Sequence, residues 1–126
     1  MKDQKYVILC VDDDQDTLDM LRIALESGGY TVVEAVTAEE GLKRYKSEKP
    51  DLLVVDLMME EVDAGTRFVT KLKAMGNTAP IYMLSSVGDS LGMQKDSSAL
   101  GLAGIFQKPI DPQTLLTTVK TKLAKK

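Results

Sequence analysis

The sequence predicts a three-layer α/β domain in which a five-stranded parallel sheet, with strand order 2-1-3-4-5, is covered by helices on both faces. Three observations predict this doubly wound fold. Short apolar runs alternate with amphipathic segments five times along the 126 residues. The runs are apolar throughout, as in parallel strands buried on both sides. No linker, repeat or low-complexity segment interrupts the alternation, so we expect one domain over residues 1–126.

The first half of the chain supplies two strands and two helices. Tyr6–Val11 is an apolar first strand, and the helix after it stops at Gly28-Gly29, because glycine readily ends helices. Tyr30–Val36 is rich in β-branched residues and is the second strand. The segment Thr37–Glu40 matches a capping box, which indicates a helix running to about residue 49.

The second half continues the alternation. Its predicted elements are the strand Leu52–Asp56, the helix Thr66–Met75, the strand Ile81–Ser85, a weaker helix Ser90–Leu100 and the strand Gly104–Gln107. Asp111 and Pro112 form an N-cap and a first-turn proline, and they open a last helix with apolar residues at helical spacing.

Composition excludes several classes of function. The net charge of −3 argues against nucleic-acid binding, and the only cationic cluster along the sequence, the tail with Lys120, Lys122, Lys125 and Lys126, is expected to be a solvated helix end. No apolar run approaches the roughly 20 residues of a membrane span. The single cysteine, Cys10, lies in an apolar run, which predicts a buried thiol and a cytoplasmic protein. The absence of histidine excludes His-based zinc sites and His-containing triads. We expect a monomer.

Polar residues follow four of the five predicted strands. Asp12-Asp13-Asp14 follow the first strand, Asp56 ends the third, Ser85-Ser86 end the fourth, and Lys108 follows the fifth. Because the carboxyl ends of parallel strands meet at one edge of the sheet, these groups are expected to lie together. Clustered carboxylates repel one another unless a cation is present, and an all-oxygen ligand set favours Mg²⁺. Such a site suits in-line phosphoryl transfer to a carboxylate.

Each residue alone has a simpler explanation. Asp14 or Asp16 is able to cap the first helix, a serine after a strand is usually a turn residue, and Lys108 alone would be a surface charge. The functional interpretation rests on four strand ends that carry complementary chemistry at once.

Four segments carry a family resemblance. VDDDQDTLDML, PDLLVVDLMM, PIYMLSS and GLAGIFQKPID resemble, in order, the signature segments of two-component response-regulator receiver domains. The resemblance implies that Asp56 accepts a phosphoryl group from a histidine kinase or phosphotransfer protein. It also implies that Asp12 and Asp13 bind Mg²⁺ together with Asp56 and the Met58 backbone carbonyl.

The same resemblance gives Ser85 the role of a switch hydroxyl and lets Lys108 pair with the phosphoryl oxygens. The segment from Ser85 to Ile105 is one residue longer than is usual in the family, so Ser86 is an alternative to Ser85 as the switch hydroxyl. The output would be contact with a downstream effector protein.

The chain also departs from the family pattern at other positions. Glu60-Glu61 stand where relatives often have Pro-Gly, and Ile105 stands where an aromatic switch residue is usual. Met58 and Val87 flank the expected phosphate position with apolar side chains, which predicts slow self-dephosphorylation.

Four other classes of protein share part of this pattern. A haloacid-dehalogenase-type phosphatase needs Asp-x-Asp-x-Thr/Val, and the acidic segment fails at the fifth place in both possible registers. A flavodoxin-like FMN binder shares the fold, but its phosphate loop is rich in Ser, Thr and Gly. An EF-hand loop whose first position is Asp12 would need glycine at its sixth position, where Thr17 stands. A non-phosphorylated pseudo-receiver, acting as a docking module, stays open.

Overall fold

A computed structural model describes residues 6–56, 64–85, 102–108 and 110–124. Within them five strands form one sheet in the order β2-β1-β3-β4-β5, and every neighbouring pair is parallel. The predicted fold class and strand order are therefore confirmed. The predicted helix Ser90–Leu100 lies outside the described residues.

Nine elements are described. Their bounds are β1 Val7–Val11, α1 Gln15–Ser27, β2 Thr31–Ala35, α2 Ala38–Glu48, β3 Leu52–Asp56, α3 Ala64–Ala74, β4 Ile81–Ser85, β5 Gly104–Gln107 and α4 Pro112–Ala124. Three predicted strands, now β3, β4 and β5, match to the residue. Among these elements, no helix combines the length and apolar character needed to cross a bilayer.

The sheet separates two apolar clusters. Alternate residues of β1 point to opposite faces, so Ile8 and Cys10 pack with α1 and α4, whereas Leu9 and Val11 pack with α3. Cys10 is fully buried, as predicted, and burial raises the pKa of its thiol. Because apolar layers cover both faces of the central strands, their buried polar side chains lie at the strand ends, at Asp12, Asp56 and Ser85.

Local signals explain most element boundaries. Asp14 caps α1, and Asp111 caps α4 through hydrogen bonds from the Thr114 main-chain N–H and hydroxyl. The Thr37 hydroxyl accepts from Glu40 N at 3.0 Å, as the capping box predicts. The Glu40 carboxylate, however, accepts from Val36 N instead of Thr37 N, so the box reaches one residue further back.

One predicted boundary is wrong by two residues. Helix α3 begins at Ala64, whereas the sequence predicted a start at Thr66. Gly65 has low helix propensity and argued for the later start. In the structure it occupies the first turn, where the main-chain N–H groups have no intrahelical partner in any case.

Candidate functional site

Asp12 follows β1 and is held by main-chain contacts on both sides. Its N–H donates to the Ala35 carbonyl of β2 at 3.1 Å, which extends the parallel ladder by one residue. Its Oδ1 accepts a hydrogen bond from Asp14 N at 2.9 Å. The side chain is fully buried, with 0% exposure, whereas Asp13 next to it is exposed. The orientation of the Asp12 carboxylate is therefore set by the backbone.

Asp56 is the last residue of β3 and pairs in register with Leu84 of β4. It is 5% exposed, so its carboxylate is nearly removed from water. One oxygen from each of Asp12, Asp13 and Asp56 lies within 4.8 Å of the others. The structure thus brings together three of the four acids that the strand-end argument placed at one edge, whereas the fourth, Asp14, caps α1.

Lys108 connects the two buried acids. Its Nζ lies 3.2 Å from Asp56 Oδ1 and 3.1 Å from Asp12 Oδ2. The contact with Asp12 Oδ2 lacks the direction of a hydrogen bond, and this buried oxygen has no hydrogen-bond donor within the described ranges. Its charge is compensated by the ammonium, but its lone pairs are not satisfied, which is unusual for a buried polar atom.

Burial and charge shift the pKa values of these groups in opposing ways. Burial, followed by the charge of Asp12, raises the pKa of Asp56 to about 6, although Lys108 acts to lower it. Burial likewise raises the pKa of Asp12. Burial would lower the pKa of Lys108, but the carboxylates of Asp12 and Asp56 outweigh it and the pKa is raised. The acids are therefore poorly stabilised as anions, and a further cation would relieve them.

Ser85 ends β4 at the same edge and is fully buried. Its carbonyl accepts a 2.7 Å hydrogen bond from Lys108 N, so the ends of β4 and β5 are joined through the main chain. Ser86, Met58 and Val87 lie outside the described residues, and the predictions that involve them stay predictions. So does the choice between Ser85 and Ser86 as the switch hydroxyl.

The acidic cluster fits a hard divalent cation. All three potential ligands are carboxylate oxygens, which Mg²⁺ and Ca²⁺ prefer, and no thiolate or imidazole competes for a softer metal at this cluster. Asp12 Oδ2 makes no hydrogen bond within the described ranges, which leaves this buried oxygen available to a metal ion. These acids could therefore hold a metal ion.

Sequence reasoning missed the contacts that orient the first acid. Asp12 accepts from Asp14 N, and Asp14 accepts in turn from Asp16 N at 3.3 Å and from the Thr17 hydroxyl at 2.8 Å. Aspartates two residues apart that bond forward to the backbone are Asx turns. The Asp-x-Asp-x-Asp spacing of the sequence was the signal that could have predicted these successive hydrogen bonds.

The fold and this edge together define an α/β domain that presents clustered carboxylates and a lysine at its strand ends. A family model, the response regulator receiver domain, matches residues 8–120. The chain belongs to the response-regulator receiver-domain family, as the sequence segments predicted.

Individual relatives agree. The chain is 34% identical over 120 residues to the alkaline phosphatase synthesis transcriptional regulatory protein PhoP of Bacillus subtilis, a match that covers 92% of this chain and 48% of that protein. It is 36% identical over 115 residues to an uncharacterized 14.6 kDa protein of Leptolyngbya boryana, which covers 90% of this chain and 86% of that one. The chain spans only 26% of the transcriptional regulatory protein GlrR of Escherichia coli, so it matches half or less of some relatives.

Solved structures show the same likeness. A CheY-like receiver domain protein from Methanospirillum hungatei superposes with a TM-score of 0.88 at 31% identity, covering 97% of this chain and 96% of that one. The chemotaxis protein CheY4 of Vibrio cholerae gives a TM-score of 0.85 at 28% identity, covering 94% and 98%.

Proposed function

We propose that residues 1–126 form one receiver domain that acts as the phosphoacceptor switch of a two-component phosphorelay, with Asp56 as the acceptor. The observation that carries the proposal is the position of the Asp56 carboxylate. It is buried at a strand end, 3.2 Å from Lys108 Nζ and within 4.8 Å of oxygens from Asp12 and Asp13. The phosphoryl donor would be the phosphohistidine of a histidine kinase or phosphotransfer protein, since this chain has no histidine.

The transfer is a single displacement at phosphorus. An Asp56 carboxylate oxygen forms the new P–O bond while the P–N bond to the donor imidazole breaks, and the imidazole leaves with the electron pair and takes up a proton. Lys108 is already in contact with Asp56. Its ammonium would pair with the phosphoryl oxygens and stabilise their negative charge during the transfer.

Asp12, Asp13 and Asp56 would hold Mg²⁺, with the Met58 carbonyl as a further ligand. Bound Mg²⁺ supplies neutralisation of the phosphoryl oxygens during transfer. The buried Asp12 carboxylate is fixed by Asp14 N and needs little rearrangement to take part. Asp13 is exposed and free to approach from the solvent side.

Phosphorylation of Asp56 would act as a switch because it changes the charge at the edge where Lys108 connects to the end of β4. A phosphoryl group brings about two negative charges and several acceptor oxygens. Lys108 would move toward those oxygens, and its main-chain bond to the Ser85 carbonyl would carry the change to the end of β4. Differential stabilisation of about 1–3 kcal/mol is typical of such coupling. A downstream effector protein would read the altered surface.

The test is phosphorylation by acetyl phosphate with Mg²⁺, followed by intact mass spectrometry. We expect one labile phosphate that Asp56→Asn abolishes. Asp51→Asn is the matched control, because it makes the same chemical change at the opposite end of β3. Phosphate that survives in Asp56→Asn, or none in the wild type, would overturn the proposal.

The same preparation separates the alternatives. A pseudo-receiver would stay unmodified at every Mg²⁺ concentration, and a haloacid-dehalogenase-type phosphatase would turn over a small phosphate ester. We expect no turnover, because a receiver modifies only itself. The monomeric state, the cytoplasmic location and the lack of a nucleic-acid partner stay predictions.

A further inference from the structure

Charge is distributed unevenly over the molecule. Helix α2 with its C-cap Lys49, together with helix α3, carries seven cationic and three acidic side chains, a net charge of +4 in a chain of net −3. Both helices end at the amino edge of the sheet, because they run antiparallel to the strands they cover. This end of the molecule is thus opposite to the acidic edge.

Four lysines of these helices, Lys43, Lys46, Lys49 and Lys71, are exposed and form no ion pair with any residue in the described ranges. The carboxyl ends of α2 and α3 add partial negative charge, about −0.5 each. That charge offsets only part of the lysine charge. Because no ion pair within the described ranges neutralises these four lysines, their surface keeps a positive potential.

A cleft of about 450 Å³ lies at this end, between the carboxyl end of α2 and the loop that joins α3 to β4. Lys46 and Lys49 line one side, and Asn77 lines the other. The cleft wall is fixed by side-chain bonds: the Tyr45 hydroxyl donates to Asn77 Oδ1 at 3.0 Å, and Asn77 Nδ2 donates to the Ala79 carbonyl at 2.9 Å. The cationic groups thus stand beside a preformed recess.

We propose that this lysine-lined cleft is a docking site for an acidic polypeptide segment. Asp51 also lines the cleft, and Glu48 stands between Lys46 and Lys49 in the sequence. A continuous polyanion such as nucleic acid, with a charge every few ångströms, would meet these acids. A polypeptide with spaced carboxylates can pair with the lysines and avoid them. Met75, 43% exposed and next to Gly76 of the cleft, offers an apolar contact.

The site is separate from the phosphoacceptor chemistry. The cleft lies at the amino edge of the sheet, whereas Asp12, Asp56 and Lys108 lie at the carboxyl edge. A segment bound there would leave the acidic edge accessible to a phosphodonor. The proposal therefore stands even if Asp56 is never phosphorylated.

The test is an NMR titration of the full ¹⁵N-labelled chain with a short synthetic peptide in which glutamate alternates with serine around a central leucine. We expect saturable shifts of amides in residues 45–51 and 76–79. The double variant Lys46→Gln/Lys49→Asn should weaken binding about 10-fold at low salt, since it removes two surface ion pairs. Asparagine suits position 49, whose main chain is left-handed with φ of 49°.

Lys120→Gln/Lys122→Gln on α4 is the matched control, because it removes the same charge from another helix. Binding should be unchanged in this variant. Equal weakening in both double variants, or a glutamine version of the peptide that binds equally well, would overturn the proposal. Tighter binding of a single-stranded oligonucleotide or of anionic vesicles at the same amides would overturn it as well. If either double variant is unfolded by its NMR spectrum, Lys46→Gln alone is compared with Lys122→Gln alone.

Discussion

Two aspartates in contrasting surroundings lie at the two ends of strand β3, Asp51 just before it and Asp56 as its last residue. Asp51, just before the strand, exchanges two hydrogen bonds with Val7 of the neighbouring strand: its N–H donates to the Val7 carbonyl at 2.7 Å, and its Oδ2 accepts from Val7 N at 2.8 Å. Asp56, at the other end, is buried beside Asp12 and Lys108, and burial first and then Asp12 raise its pKa to about 6.

The contrast shows how one residue type serves assembly at one edge and reactivity at the other. A carboxylate that accepts from a main-chain donor aligns the start of two strands, so Asp51 stabilises the fold. Asp56 faces a second buried acid and shares one ammonium with it, so its anionic form is destabilised. Folding leaves the Asp56 carboxylate poorly stabilised, so a cation or a phosphoryl group that binds there can relieve the destabilisation.

Removal of the shared ammonium should have the largest effect. Lys108→Met leaves Asp12 and Asp56 buried without a cation, and we expect the free energy of unfolding at pH 7.5, without divalent ions, to fall by about 3 kcal/mol. Lys46→Gln at the opposite edge should change it by less than about 0.5 kcal/mol. Urea denaturation measures both, and equal effects would show that the two edges do not differ.

The second expectation concerns pH. The pKa of Asp56 is raised from 3.8 to about 6 in the folded state. Between these two pH values, the folded state therefore binds more protons than the unfolded state. Without divalent ions, the free energy of unfolding should therefore fall by about 2 kcal/mol as the pH rises from 4 to 7. Asp12 acts in the same direction, and Lys108 stays charged throughout this window.

Asp56→Asn should flatten most of this pH dependence and raise stability at pH 7, since it removes a buried charge. Asp51→Ala should instead lower stability by about 1 kcal/mol and leave the slope intact, because it removes a hydrogen bond to Val7 N. Urea denaturation at several pH values distinguishes the two. A stability that rises between pH 4 and pH 7 in the wild type would contradict the assignment.

The smallest effect expected at the acidic edge is stabilisation by magnesium. At a Mg²⁺ concentration ten times its Kd, the free energy of unfolding at pH 7.5 should rise by about 1.4 kcal/mol. Asp12→Asn should remove most of the gain, because it takes away the buried carboxylate with an unsatisfied oxygen. Asp51→Ala should keep it. Thermal unfolding with and without Mg²⁺ gives the measurement, and an equal gain in Asp12→Asn would place the ion elsewhere.

The sequence predicted the strands well because their signals are local. Leu52–Asp56 and Ile81–Ser85 are apolar runs bounded by turn residues, and both matched the structure to the residue. The start of α3 was less predictable, because Gly65 is unfavourable in a helix interior yet tolerated in a first turn. Helix starts of this kind depend on tertiary packing, which the local sequence does not reveal.

The convergence of Asp12, Asp56 and Lys108 followed from a topological rule, because strand ends of a parallel sheet meet at one edge. That Lys108 contacts both acids at once depends on side-chain conformation, which no spacing encodes. The cleft at the amino edge was not predicted either. One wall comes from the end of α2 and the residues after it, 45–51, and the other from the loop 76–79, and these segments are distant in the sequence and have no shared motif.

The bond between Lys108 N and the Ser85 carbonyl has a practical consequence for genetics. It joins atoms that every residue type except proline would supply, so replacing either side chain leaves it in place. A library of alanine substitutions would therefore overlook this route between the ends of two strands. Replacing the amide at position 108 by an ester, through chemical synthesis, would remove the donor and isolate its contribution.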